Sequence, residues 1–331
     1  MKQLIRRLMS AWGWRVERVR LFFYKRLLNL GGVSFVRLRW PWPMRKPWQR
    51  KRLRVFSTGG GIGDELMCLS VLHEIKARNP SCELTFVCRH PFMATGLPFI
   101  DHVESYSPPQ KPRGIALEYG YVIPPPRPLI TMLAECVGLV LTEPLAVVPP
   151  MEVSEEMRSL VANLPSPRIV IQPLASKWTL NKKWPTGHWV QLIKMLTAHF
   201  DVIEVGTDSE LPAEELGPRF RSLVKKTNVQ DLAYLISQAN LFIGPPSGGM
   251  HLARVAAVPS VVVFGGYESP SGYIHPNTDL TKRVSLSTTV SCAPCWLEGQ
   301  CPYDQKCLKD IQPDAVFYAA CKLLDVNVSL S

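Results

Sequence analysis

The chain has 331 residues, 46% of them apolar, which is enough to bury sizeable cores in two domains of ordinary size. Its 38 Lys and Arg against 27 Asp and Glu give a formal +11, but 16 of those cations and a single acid, Glu17, fall in the first 54 positions, so that segment carries +15 and the remainder −4. An evenly basic chain would point to nucleic acid, whereas a basic leader on a mildly acidic body, with no second basic surface and no RNA-binding motif, points away from it.

Read as a helix, residues 1 to 30 align Ile5, Leu8, Met9, Trp12, Val16, Val19, Phe23, Leu27 and Leu30 in one apolar stripe. Lys2, Arg6, Arg7, Arg15, Arg18, Arg20 and Lys25 fall on the other face. Such a helix suits the plane of an anionic bilayer, where each surface cation adds roughly 1 kcal/mol. Residues 36 to 54 continue the pattern, interleaving Trp40, Trp42 and Trp48 with Arg37, Arg45, Lys46, Arg50, Lys51 and Arg52, and indoles favour the interface. Residues 1–52 are therefore expected to form a basic, Trp-rich amphipathic extension that meets an anionic membrane surface; the alternative is an ordinary stripe packed on the body or on a second subunit. Charges interrupt every candidate signal-peptide core, and no run reaches the roughly 18 apolar residues of a spanning helix. Nine cysteines, five of them dispersed at 68, 82, 88, 136 and 321, do not read as a disulfide framework at this length.

Beyond the leader, strands and helices alternate. A short strand over 53–57 runs into Thr58-Gly-Gly-Gly-Ile-Gly-Asp64, a helix over 65–78 stops at Asn79-Pro80, and a strand follows over 84–88. The stretch 108–150 holds ten prolines around one helix predicted over 130–140. After Pro165-Ser-Pro167 the rhythm restarts with a strand over 168–172, a helix over 188–199, a strand over 201–205, a helix over 229–239, a strand over 241–244, a helix over 249–257 and a strand over 260–264. Apolar runs alternating with helical patterns imply parallel sheets. The expected fold class is α/β: two Rossmann-like domains, 53–150 and 151–331, facing a cleft, with ligands at the carboxyl ends of the strands.

Four places carry chemistry. In the first, Gly61 and Gly63 let backbone approach a ligand ahead of a helix whose start holds Asp64; alone the loop is a weak signal, neither a Walker loop nor a dinucleotide fingerprint, and Asp64 has a capping role as its plain alternative. The second is Gln172 to Pro185, where Ser176 and the cations Lys177, Lys182 and Lys183 cluster after a strand, a setting suited to a diphosphate or to a solvated loop. In the third, the glycine-rich turn Gly244 to Ala253 exposes amides and the Ser247 hydroxyl to an anion, with Gly248, Gly249 and His251 behind, although a lone histidine is more often a core residue. The fourth is Cys292, Cys295, Cys301 and Cys307, four thiols in 16 residues, dense enough for zinc or iron, against free buried thiols.

Gly63-Asp64 with Asn79-Pro80, Lys182-Lys183-Trp184-Pro185 with His188-Trp189, Gly206 to Glu210, Ser247-Gly-Gly-Met-His251, Phe264-Gly265 and the Cys295 to Cys307 segment, in that order, resemble glycosyltransferase family nine, the bacterial ADP-heptose transferases. The resemblance covers about residues 53 to 320 and is stronger in the second half. It implies a GT-B fold with an acceptor-side first domain, a donor-side second domain and inversion at the anomeric carbon without a catalytic metal; no Asp-x-Asp triplet occurs in the chain. By position it makes Asp64 the base, Lys182 the lysine on the donor diphosphate, Glu210 the acid on the nucleotide ribose, and Ser247, Gly248 and His251 the cradle for phosphates and sugar. Some protein-glycosylating relatives bind iron through a comparable cysteine group, which favours a structural ion here.

The chain departs from the family in placing Pro246 where members commonly carry Asp, in a short first domain and in the extra leader. The expectation is a metal-independent inverting transferase moving a sugar, heptose first, from a nucleotide-diphosphate donor to a glycan, lipid-linked or protein acceptor. Its expected place is the cytoplasm, peripheral to the inner face of the bacterial plasma membrane, with the oligomeric state open. The alternative is a non-catalytic, metal-stapled partner recruited to a membrane; a nucleotide-sugar epimerase is disfavoured by the missing dinucleotide fingerprint and Tyr-x-x-x-Lys pair.

Overall fold

The computed structural model describes residues 46–57, 61–107, 114–120, 123, 125–141, 147–149, 152–175, 179–273 and 279–326. The leader expected over 1–52 falls outside these up to residue 45. Residues 47–331 form one compact unit. Its first turn, Pro47–Gln49, already belongs to it: Pro47 is buried, the Trp48 N–H donates to the Val137 carbonyl at 3.3 Å, and Asn79 Nδ2 donates to the carbonyls of Trp48 and Arg50. The body thus starts at Pro47 rather than at residue 53.

The first sheet is parallel, with strands β1 (Arg52–Phe56), β2 (Glu83–Cys88), β3 (His102–Ser105) and β4 (Ile115–Ala116) in the order β3-β2-β1-β4. Helix α1 (Ile62–Arg78) follows β1, and its buried residues lie almost all round: Leu66, Met67, Cys68, Leu69, Val71, Leu72 and Ile75. A helix apolar on every side is a central one, and α1 touches both α2 (Leu129–Cys136) and a helix of the second sheet. Helix α2 ends four residues short of its predicted limit, because Gly138 adopts φ 73° and closes the turn.

The second sheet, also parallel, comprises β5 (Arg168–Ile171), β6 (Asp201–Glu204), β7 (Phe220–Ser222), β8 (Leu241–Gly244), β9 (Ser260–Val263) and β10 (Arg283–Leu286), ordered β10-β9-β8-β5-β6-β7. Its central strands β5, β8 and β9 are apolar on both faces, as a sheet covered by helices requires. Ile169, Ile171, Leu241, Ile243, Val261 and Val263 face a core shared with α4 (Thr186–Thr197) and α8 (Pro313–Leu324). Val170, Ile203, Phe242 and Val262 face the other way, into a core continuous with α1 and the first sheet and completed by α5 (Val229–Ser237) and α6 (Gly248–Val255). Two further helices, α3 (Glu155–Ala162), capped by Ser154, and the short α7 (Lys306–Lys309), complete the described helices. Strand order reverses between β1 and β4 in one sheet and between β5 and β8 in the other, and such switch points open crevices at the strands' carboxyl ends. No described helix is long and apolar enough to cross a membrane.

Candidate functional site

On the first sheet the chain leaves β1 and enters α1 through the glycine loop, of which residues 58–60 lie outside the described ones. Gly61 is the N-cap, extended at φ −84° and ψ 137°, and Asp64 is the third helical residue. The capping role considered for Asp64 is therefore corrected: the glycine holds that position. The Asp64 carboxylate folds back over the helix start, since a Cβ on Gly61 would lie 2.8 Å from its Oδ2, and there the dipole favours an anion. Glu65 points inward, fully buried, accepting the Arg89 N–H at 2.7 Å and lying 2.9 Å from His90 Nδ1, which braces the loop after β2. At the switch point itself the Ser57 hydroxyl donates to Glu118.

On the second sheet, Ser247 caps α6, yet its hydroxyl donates 3.1 Å to Gln172 Oε1 across the β5–β8 crevice instead of to the first-turn amides. Gly249 is required there, because a Cβ would come within 2.2 Å of that same Gln172 oxygen. The two helix starts meet. A Cβ on Gly63 would lie 2.4 Å from His251 Cδ2, and one on Gly248 3.3 Å from Ile62 Cβ, so α1 rests on α6 by bare backbone. His251 is 4% exposed, its ring edge-on to Tyr273 at 5.7 Å. Burial, then the charges of Arg254, Lys182 and Arg283, hold its pKa well below the ordinary 6.5, so the ring is neutral. The arginines feel the same crowding: burial, then Arg283, lowers Arg254 to about 9. The structure thus places His251 as a neutral packing residue at the junction of the two sheets.

Trp184 orients the lysine loop. Its indole is buried, donates to the Ile311 carbonyl at 2.9 Å and meets Trp189 edge-on at 5.1 Å, so Lys182 and Lys183 project in separate directions. Lys182 Nζ lies 2.6 Å from Glu268 Oε1 and 5.1 Å from the centre of the Tyr267 ring. Lys183 Nζ instead pairs with Glu210 Oε1 at 2.6 Å, and Thr186 Oγ1 donates to Glu210 Oε2 at 3.1 Å. Lys182 and Glu210 thus hold different partners: Glu210 sits on an exposed edge, its pKa lowered chiefly by the Lys183 hydrogen bond. Ser176 and Lys177 lie outside the described residues.

Glu268 and Tyr273 escaped the sequence reading, as did Gln172 in its bond to Ser247. Glu268 is 4% exposed, its pKa raised by burial against the opposing pull of Lys182, and the Tyr273 hydroxyl donates to it. The Asp64 charge raises both Glu268 and Tyr273, so the first sheet's carboxylate and the second sheet's cation share one neighbourhood.

The four thiols Cys292, Cys295, Cys301 and Cys307 line one cavity of about 150 Å3, with Asn181, Gly266 and Tyr267 among its other walls. Burial raises the Cys307 thiol, and the other three thiols add to the rise. Four sulfurs suit a soft ion by type, but among the described residues no three His, Cys, Asp or Glu side chains stand close enough together to hold one. What the segment does visibly is tie loops: Asn181 Nδ2 donates to the Leu297 and Gly299 carbonyls, Thr179 Oγ1 donates to Leu297, and the Cys295 N–H donates to the Gly266 carbonyl at 3.0 Å.

A family model described as glycosyltransferase family 9 (heptosyltransferase) matches residues 131–306, more than half of the chain. The chain belongs to that family. A Campylobacter jejuni lipooligosaccharide heptosyltransferase 2 is 29% identical over 155 residues, 43% of this chain and 47% of that relative, so the match spans about half the length of the curated protein. Among solved structures, E. coli ADP-heptose LPS heptosyltransferase II superposes with a TM-score of 0.61 at 18% identity, covering 82% of this chain and 98% of that one. The iron-containing dodecameric glycosyltransferase TibC from enterotoxigenic E. coli gives 0.61 at 17% identity, covering 82% and 75%. At these identities the likeness is one of fold: parallel α/β sheets arranged as in the family's transferases.

Proposed function

We propose that the protein is an inverting glycosyltransferase, which moves a sugar, heptose first, from a nucleotide-diphosphate donor such as ADP-heptose to a glycan, lipid-linked or protein acceptor. The observation that carries this reading is the meeting of α1 and α6. Bare glycine contacts bring a carboxylate at one helix start beside a lysine and the uncapped amides of another, at the carboxyl ends of both sheets. That is the charge layout an inverting displacement needs: the acceptor oxygen bonds to the anomeric carbon, its proton passes to Asp64, and the breaking bond leaves its electron pair on the diphosphate, facing Lys182 and the α6 amides. The proton transfer and the charge stabilisation each have a protein group, and neither calls for a metal.

The cysteine group, in this reading, is a structural staple for the loops carrying Lys182 and Glu268, and its four thiols would have to draw closer together to take zinc or iron as its ion. Residues 1–45, from their charge and apolar stripe, are assigned to an anionic membrane surface, and the enzyme with them to the cytoplasmic face of the bacterial plasma membrane. The test is a transfer and hydrolysis assay across a panel of nucleotide sugars, run beside the Asp64→Ala variant. One donor turned over by the wild type and not by the variant supports the reading. Absence of any donor across the panel leaves a non-catalytic partner in its place.

A further inference from the structure

The Lys182 ammonium assigned to the donor diphosphate is already engaged. It sits 2.6 Å from Glu268 Oε1 beneath the Tyr267 ring, and the two side chains retain only 15% and 3% of their exposure. The loop that carries it is held by the Asn181 and Thr179 bonds to the cysteine segment, so the lysine is free to reorient only by its own side chain. One ammonium cannot neutralise a buried carboxylate and an incoming diphosphate at the same time. If it turns to the diphosphate, Glu268 is left buried beside new negative charge, with Asp64 already near and Oε2 lacking a hydrogen-bond partner among the described residues.

We propose that Glu268 is the positioning residue of the donor site: it holds Lys182 aimed into the empty cleft, surrenders it to the diphosphate, and takes up one proton from solvent in exchange. This rests on the donor-site reading above. Once the lysine has left, no cation faces Glu268. Burial and the Asp64 anion on α1 favour its protonated form, the one hydrogen bond from Tyr273 of its own loop opposes them, and His251 from α6, reached through Tyr273, is neutral. Burial has already raised the Glu268 carboxyl above its ordinary value with the lysine in place, and removal of the lysine raises it further. Binding and protonation are then linked, and diphosphate affinity falls as pH rises, by up to tenfold per pH unit between the empty-site and occupied-site values of Glu268. Above about pH 7 the phosphate's own second ionisation, near roughly 6, is complete and does not contribute.

The experiment is calorimetric titration of full-length protein with ADP, GDP, UDP and CDP, and with their nucleosides, at pH 7.5 and 8.5 in two buffers of different ionisation enthalpy. For the diphosphate that binds, uptake approaching one proton per nucleotide is expected, with none for the nucleoside; Glu268→Gln should bind the same diphosphate with no uptake, with no pH slope, and at least as tightly at pH 8.5. The wild-type proton count stands even if the variant does not fold. Diphosphate binding without proton uptake, or uptake that persists in Glu268→Gln, overturns this inference and leaves the donor site standing. Equal affinity for diphosphate and nucleoside, or no binding by any of the four, removes the donor site and this proposal with it.

Discussion

Asp64 and His251 lie on the two helices that meet at the site and answer to opposite electrostatics. Asp64 stands in the first turn of α1 over the positive end of the helix dipole, where an anion is favoured. Asp64→Ala is expected to lower turnover by about 10²–10⁴ while nucleotide affinity stays nearly unchanged, read from steady-state rates beside calorimetric titration. Full activity in that variant would reduce Asp64 to a helix-end charge. His251 is held neutral. Below about pH 6.5 an unfolded chain's imidazole takes a proton that the native site refuses, so the unfolded state binds more protons and stability is lost as pH falls, by up to about 1.4 kcal/mol per pH unit. Denaturant melts between pH 7 and 5 should show that slope, and His251→Gln should flatten it. The glycines and Asp64 were legible in the sequence because a strand, a glycine turn and a helix leave a local pattern. Glu268 was not. A lone Glu among Tyr, Ser and Pro carries no local signature, and only the burial of Lys182 beside it gives it a role.

Among the elements, the loop from Thr179 to Trp184 is fixed from both sides: the cysteine segment holds its start and the core holds its end through Trp184. Lys182→Ala should therefore leave the fold intact and weaken diphosphate nucleotides far more than nucleosides, since only the former offer charge to pair with. Equal losses for ADP and adenosine would move the donor site elsewhere. Glu210, paired with Lys183 on an exposed edge, is a surface ion pair in this structure, and its part in holding a ribose is a separate proposal. If the thiols share an ion, elemental analysis of untagged protein should find close to one zinc or iron per chain, and a chelator should lower the melting temperature. No metal, with all four thiols titrating freely in the native state, would leave loop ties as their whole function. The core strands β5, β8 and β9 were legible because each holds an unbroken run of three apolar residues, the mark of a strand covered on both faces. Strands β3, β7 and β10 lie at sheet edges and β4 is two residues long; with three to four residues and partly polar faces, the edge strands give pairing no periodic signal to announce it.

For the molecule as a whole, the starts of α1 and α6 meet beside the switch points of the two sheets, the place that the alternation of strands and helices assigns to a ligand. The shared core, which runs from Leu53 and Val55 through α1 to Phe242 and Val262, could not be read from order alone, because it depends on α1 being apolar on every side. The boundary of the leader was also misread. Pro47 and Trp48 look in sequence like a continuation of the Trp-rich basic run, yet they pack on the body, so charge composition marked a transition that burial places earlier. A deletion that separates the two must therefore end at residue 45. Removing 1–45 takes away 11 of the 16 early cations together with the apolar stripe and leaves the Pro47 and Trp48 contacts intact. The expected product is folded and active on a soluble acceptor analogue but no longer co-sediments with anionic vesicles. Full-length protein should bind those vesicles less well as salt rises from 0.01 to about 0.15 M, where the Debye length shrinks from roughly 30 to 8 Å. A truncated body that aggregates or changes oligomeric state, with vesicle binding unaltered, would instead make the apolar stripe a packing surface and remove the membrane from this protein's account.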